Sequence, residues 1–297
     1  MTADETAGRS FQELIPLLID VQLNLDRETS LESLARQYGY SPFHFHRLFS
    51  KTVRETPKRH VDRLRLERAA YKLAVTGDTV LGIALSVGFK SHETFSRSFK
   101  RAFGCSPKDY RNACRGAQSA RLERNKGFRG EGCQLSDVRF VSLPSMTLLT
   151  MRRYGAYADC PIPFAAGDEF WTALVARAQR NKVCFHRLPI AISYDDPTVT
   201  PPGLQRLDAC IPVDAEVPPQ GRIRCQRFAG NRFAGIEHVG PHTSLDQAYR
   251  NLADGIRRSP QYQFDEGPPV QIYRQIHLGG DPAANLTEVY FPVRKAR

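Results

Sequence analysis

Ala84-Leu85-Ser86-Val87-Gly88-Phe89-Lys90-Ser91-His92-Glu93-Thr94-Phe95-Ser96-Arg97-Ser98-Phe99 decides the fold, because an earlier stretch of the chain carries the same pattern. Ala35, Tyr38-Gly39-Tyr40, Ser41, Phe45, Arg47, Phe49 and Thr56-Pro57 return as Ala84, Val87-Gly88-Phe89, Ser91, Phe95, Arg97, Phe99 and Ser106-Pro107. The offset is 49 residues up to Tyr40 and 50 from Ser41 onward, so Lys90 is one extra residue in the second turn. Each copy reads as helix, tight turn, helix. Two such units in tandem imply a protein that reads DNA.

Local chemistry supports each element. Ser30 is placed to cap a helix whose apolar face is Leu31, Leu34, Ala35 and Tyr38, and Gly39 can take the left-handed conformation that ends it. Ser41-Pro42 reads as N-cap and first helical residue of the next helix, which points Phe45, Leu48 and Phe49 inward and Phe43, His46, Arg47 and Ser50 elsewhere. A long helix over 57–75 follows, with Val61, Leu64, Ala69 and Leu73 on one face and Arg59, Arg63, Arg65, Arg68 and Lys72 opposite. After a loop at Thr76-Gly77-Asp78, the second copy places helices over 80–87 and 91–103, ending at Gly104. Upstream, 11–25 has a near-helical apolar period that includes Pro16.

Charge is unevenly spread. Of a net +11, residues 1–130 hold 23 Lys and Arg against 14 Asp and Glu, and 47–115 alone hold 16 against 6. That is the density of a surface that displaces counterions from phosphates, and it coincides with the duplicated half. At 297 residues and 41% hydrophobic content the chain has material for two cored domains. The polar, acidic start and the lack of a long apolar run give neither a secretory signal nor a membrane span, so a cytoplasmic location is expected. Seven scattered cysteines without a CxxC pair read as reduced thiols. His44 and His46 are two apart without a Cys or carboxylate partner, so no metal site and no cofactor is expected.

The fold class read from these features is multidomain: an all-α tandem helix-turn-helix domain over 10–113, a linker over 114–134 and an α+β domain over 135–297. The linker is rich in Gly and basic residues. Beyond it, strand-like runs (138–141, 146–151, 189–193, 209–213, 232–237, 270–276, 288–293) alternate with helices over 168–180 and 244–257. A weaker internal repeat lies here. Tyr154-Gly155-Ala156-Tyr157 parallels Val239-Gly240-Pro241-His242, and Asp208-Ala209-Cys210-Ile211-Pro212-Val213 parallels Glu288-Val289-Tyr290-Phe291-Pro292-Val293 at an offset of 80. Two similar halves imply a pseudo-twofold domain with a groove between them.

Helical phase puts Phe43, His46 and Arg47 on the outer face of the first reader helix, and His92, Glu93, Ser96 and Arg97 on that of the second. Arg47 and Arg97 occupy the same repeat position. Arginine can clamp guanine O6 and N7 with two parallel bonds, whereas glutamate can accept from cytosine N4 and phenylalanine can touch a thymine methyl. Contact of the two arginines with phosphate alone would instead give affinity without specificity. Lys51, Lys58, Lys100, Arg101, Lys108 and Arg111 lie near helix ends and loops, where phosphates are expected.

Residues 10–113 resemble the DNA-binding domain of the AraC/XylS family of bacterial transcription regulators. The stretch Ala84–Arg111 is similar to that family's signature over its whole length, and Arg63–Leu73 is similar to its linker helix. The resemblance implies seven helices, two readers in successive major-groove segments of double-stranded DNA, and base contacts at the seven positions just named. A Trp or Gln is common at some of them, so the operator is not transferable from a relative. The C-terminal part resembles a GyrI-like small-molecule-binding domain through His238-Val239-Gly240-Pro241 and Thr287–Val293. In that family a buried glutamate matching Glu288 faces an aromatic groove and can neutralise lipophilic cations. Trp171, Tyr154, Phe170, Tyr194, Tyr273 and Tyr290 are the candidate lining residues here, with ordinary core packing the alternative for the set. Ala156 replaces a proline of the pattern.

The resulting expectation is a ligand-responsive regulator, not an enzyme, with DNA, RNA polymerase and a small effector as partners and no membrane. Two other classes stay open. One is a hydrolase of a reactive small molecule using Glu288 and a tyrosine; the other is a ligand-free DNA-binding protein whose C-terminal domain recruits proteins.

Overall fold

The computed structural model describes residues 14–22, 24–26, 30–124, 132–186 and 188–296. It divides into two compact units at Arg121/Leu122. The N-terminal unit is all-helical: α1 (residues 14–22), α2 (Leu31–Gln37), α3 (Pro42–Val53), α4 (Pro57–Val75), α5 (Val80–Ser86), α6 (His92–Phe103) and α7 (Pro107–Arg124). Residues 10–13 of the expected domain, Phe11 among them, and 125–131 of the expected linker lie outside the described residues. Within that linker the helix α7 continues through Arg124.

The caps lie where the sequence puts them. Side chains of Ser30, Ser41, Thr56, Thr79 and Ser91 each accept from the backbone N–H three residues on, satisfying a donor the first helical turn leaves unpaired. The core of this unit is the apolar face of α1 (Leu14, Ile15, Leu18) with Leu34, Ala35, Phe45, Phe49, Leu64, Leu73, Ile83, Phe95 and Phe99, all buried. Leu48 is half-buried at the rim.

The C-terminal unit is one antiparallel sheet with two helices. Its strands are β1 (Gln134–Leu135), β2 (Arg139–Ser142), β3 (Met146–Tyr154), β4 (Ile190–Ser193), β5 (Arg206–Val213), β6 (Ile223–Phe228), β7 (Arg232–Val239), β8 (Tyr262–Phe264), β9 (Val270–Gln275) and β10 (Leu286–Lys295). The helices are α8 (Phe170–Arg180) and α9 (Leu245–Arg258). The order β1-β7-β10-β9-β4-β5-β3-β6, with β2 also on β7, reads nearly the same from either end about the β4–β9 pair. Arg152 stands opposite Asp208 as Glu237 does opposite Glu288, and Ile192 opposite Asp208 as Ile272 does opposite Glu288. The weak sequence repeat is therefore a pseudo-twofold sheet. Strand alternation sends Leu149, Leu207, Ala209 and Ile211 to the α8 side with Trp171 and Leu174. Leu148, Ile190, Ile192, Cys210, Ile272 and Tyr290 form a second apolar layer on the other face.

β1, β6 and β8 lie outside the strands expected from sequence. β6 ends the sheet and alternates Ile223 and Cys225, packed on the core, with Arg224 and Gln226, so its apolar signal is half that of a central strand.

Candidate functional site

The two readers are built alike. Phe45 packs on Phe49 at 5.6 Å and 54°, and Phe95 on Phe99 at 5.5 Å and 55°. These rings pin the inner faces of α3 and α6 and fix the opposite faces outward. Phe43 is 78% exposed, far above what a core phenylalanine shows. His46, Arg47, His92, Glu93 and Arg97 are exposed as well, and Ser96 is half-buried with its hydroxyl 3.5 Å from His92 Nε2. The Glu93 carboxyl is held below its ordinary range by its own backbone N–H and the Ser91 hydroxyl, so it stands as an ionised acceptor in the first turn of α6.

The flanking cations divide. Lys51, Lys58, Lys100, Arg101 and Lys108 are exposed, and Lys58 shares an ion pair with Asp62 at 3.3 Å. Arg111 is half-buried and donates to the Asp78 carbonyl at 2.6 Å, which ties α7 to the α4–α5 loop. The row of cations on α4 is not a free basic face, contrary to the helical-wheel expectation. Lys72 is buried and donates to Ser86 Oγ at 2.8 Å. Arg65 donates to the Leu25 carbonyl at 2.9 Å, and Arg63 joins Glu55 and Glu67.

In the C-terminal unit each half carries a buried acid wrapped in arginines. Asp208 accepts from Nε of Arg152 and from its Nη2 at 2.9 Å, accepts from the Tyr194 hydroxyl at 2.8 Å, and has Arg224 at 3.7 Å. Burial alone would raise the Asp208 carboxyl, but the Arg152 charge and hydrogen bonds, with Arg224 and Tyr194, hold it below its ordinary value. Glu288 accepts from Arg139 at 2.5 Å and from Arg274 at 2.7 Å, and Arg139 also reaches Glu237 at 2.5 Å. The registers make Arg139 the counterpart of Arg224.

The description "GyrI-like small molecule binding domain" matches residues 136–294, and "Helix-turn-helix domain" matches 34–113. The regulatory protein SoxS of Salmonella typhimurium is 33% identical over 104 residues, which are 35% of this chain and 97% of SoxS. The chain is an AraC/XylS-family protein with a GyrI-like C-terminal domain. Its helix-turn-helix part is also 49% identical over 80 residues to the regulator Rv1931c of Mycobacterium tuberculosis, covering 27% of this chain and 31% of Rv1931c. It is 35% identical over 97 residues to the right origin-binding protein of Escherichia coli, covering 33% and 34% respectively. The chain thus spans only about a third of the length of each of those two relatives.

The aromatic residues named from sequence are not one lining within the GyrI-like domain. Trp171 is wholly buried, donates from Nε1 to the Ile190 carbonyl at 3.3 Å, and meets Tyr273 edge-on at 5.9 Å. Tyr273 hydrogen-bonds Gln271 at 2.7 Å. Tyr290 lies on the other face against Phe233, and its hydroxyl accepts from Arg139 at 3.3 Å. Tyr194 serves Asp208, beneath the Arg152 guanidinium at 4.4 Å from its ring centre. Tyr154 and Phe170 instead share the wall of a cavity of about 450 Å³ beside the first turn of α8. Sequence reasoning missed Arg139, Arg274 and Arg152 as partners of the acids; the signal was the repeat itself, extended across the sheet register.

Proposed function

We propose that this protein is a sequence-specific, double-stranded-DNA-binding transcription regulator of the cytoplasm, whose GyrI-like domain takes a small effector that shifts DNA affinity or contact with RNA polymerase. The observation that carries the reading is the matched pair of reader helices, each pinned by two buried phenylalanines and each presenting an exposed arginine at the same repeat position. Two reader helices address one face of DNA in successive turns of the groove when they stand about 34 Å apart. The relatives named as regulators support it. The effector reading rests on the GyrI-like match and on Glu288, buried at the centre of the second half. A lipophilic cation would there compete with Arg139 and Arg274 for the carboxylate. The hydrolytic reading, which uses Glu288 and a tyrosine, gains no support from this cluster, because Arg139 and Arg274 already occupy the Glu288 carboxylate and Arg139 also donates to the Tyr290 hydroxyl.

The test is selection of genomic fragments by wild type, Arg47→Ala and Arg97→Ala. An asymmetric motif of two elements about one helical turn apart is expected, with each variant relaxing one element at a loss of about 1–3 kcal/mol. Binding that is salt-sensitive, blind to sequence and equal in all three proteins overturns the reading.

A further inference from the structure

The cavity of about 450 Å³ shares no residue with the Glu288 cluster, and two of its wall residues are arginines, Arg153 and Arg222. Neither guanidinium has a carboxylate within ion-pair distance among the described residues. Among the described residues Arg153 is held by the carbonyls of Gly155 at 3.1 Å, Ala156 at 2.9 Å and Asp159 at 3.1 Å.

Arg222 is the more unusual group. It is half-buried, donates from one nitrogen to the Arg152 carbonyl at 2.7 Å, and leaves its buried Nε without a hydrogen-bond partner among the described residues. Its guanidinium lies 5.3 Å from the centre of the Phe170 ring. Burial lowers its pKa; Glu169 partly offsets this, and the like charge of Arg153 adds to it. A half-buried cation and a second guanidinium whose like charge adds to its burden therefore meet at one void. Both are unfavourable without a counter-charge, and one oxyanion relieves them together.

The backbone donors of α8 are not the attraction. Asp168 already accepts from the N–H groups of Phe170, Trp171 and Thr172, and also from that of Phe164. A guanidinium beside an aromatic ring on the wall of a void is an arrangement in which arginine takes an oxyanion. Glu169 and Asp159, also on the wall, are exposed and remain hydrated.

We propose that this cavity is a second small-molecule site, taking a compound with a carboxylate or phosphate group through Arg222 and Arg153, with Phe170 as its apolar wall. The test is calorimetry on the full chain with benzoate, succinate and inorganic phosphate, and with ethidium as a cationic contrast. The expected result is saturable binding of at least one anion. Arg222→Met should weaken it tenfold or more and Arg153→Met several-fold, with circular dichroism showing each variant folded. Glu169→Gln should leave it equal or tighter, and Arg139→Met in the Glu288 cluster should leave it unchanged. Phosphate bound without the carboxylates supports the site and assigns it a phosphate head group. No anion bound, equal affinity in Arg222→Met, or loss of binding in Glu169→Gln overturns the proposal. Ethidium bound in a Glu288-dependent way alongside a silent anion series overturns this site and leaves the Glu288 reading standing.

Discussion

The two readers share a scaffold and differ in how it is locked. In the second, the ring of Tyr110 meets Phe99 edge-on at 5.4 Å and 78°; in the first, His60 takes the same place on Phe49 at 5.4 Å and 73°. The tyrosine brings an apolar ring, whereas the histidine brings an ionic network. His60 Nδ1 lies 2.6 Å from Glu55, which also accepts from Arg63 at 2.7 Å, while Arg63 reaches Glu67 at 3.0 Å. The helix ends differ as well. Gly104 closes α6 at φ 76°, and Arg54 closes α3 at φ 61°. One duplicated unit thus keeps its phenylalanine core and its caps while exchanging the parts around them. The comparison assigns shape to the core and sensitivity to the periphery.

The turn glycines should give the largest contrast. Gly39 and Gly88 occupy equivalent positions at φ 72° and 92°, but a Cβ on Gly39 meets nothing within 4 Å. On Gly88 it would lie 2.3 Å from the Leu25 carbonyl oxygen and 2.8 Å from Arg65 Nε, the two groups that hydrogen-bond each other at 2.9 Å. Gly39→Ala should therefore cost only the left-handed backbone, about 1 kcal/mol. Gly88→Ala adds a clash with backbone and should cost about 3 kcal/mol or more. Urea unfolding followed through the helical signal compares them, and equal losses would show that the second turn is not locked as described.

Acid should separate the readers next. Burial alone would raise the Glu55 carboxyl, but hydrogen bonds from His60 and Arg63 and the Arg63 charge bring it down to about 2 from an ordinary 4.5. The folded state then binds fewer protons than the unfolded chain across that interval. The network's contribution is complete above about 4.5, falls as pH drops, and is gone below about 2, a change on the order of 3 kcal/mol. The matching positions of the second reader hold Cys105 and Tyr110 in place of the carboxylate and the imidazole. Hydrogen exchange at pH 3 should open α3 before α6, and Glu55→Gln should flatten the acid dependence of α3. Loss of both helices together would refute a difference in locking.

These differences mark where the sequence could be read and where it could not. Ser41-Pro42, Ser91, Gly39 and Gly88 act within a few residues of themselves, so caps, turns and reader faces follow from local order. The helical period places Lys72 on a basic face, because it says which side a residue occupies and not that Ser86 of another helix waits there. Arg139 meets Glu288 across 149 residues, a pairing fixed by strand register and invisible to spacing. The aromatic residues were chosen by type. Alternation along strands then sends Tyr273 to the α8 side and Tyr290 to the other, so type alone could not gather them into one lining.

The smallest effect, and the sharpest in sign, concerns the two helix ends. A non-glycine residue at φ 61° strains its Cβ against the carbonyl, a burden that Gly104 avoids in the second reader. The Arg54 side chain is exposed and takes part in no hydrogen bond or ion pair among the described residues, so little offsets that strain. Arg54→Gly should therefore stabilise the first reader by about 0.5–1 kcal/mol, even though glycine loses more freedom on folding than arginine's backbone does. Gly104→Arg should destabilise the second reader by about the same amount. Reciprocal changes in thermal midpoint would show that the duplicated units are interchangeable at this position. A loss of stability in Arg54→Gly would instead mean that the left-handed arginine contributes something the glycine end lacks, and the two readers would then differ in their helix ends as well as in the ring that locks them.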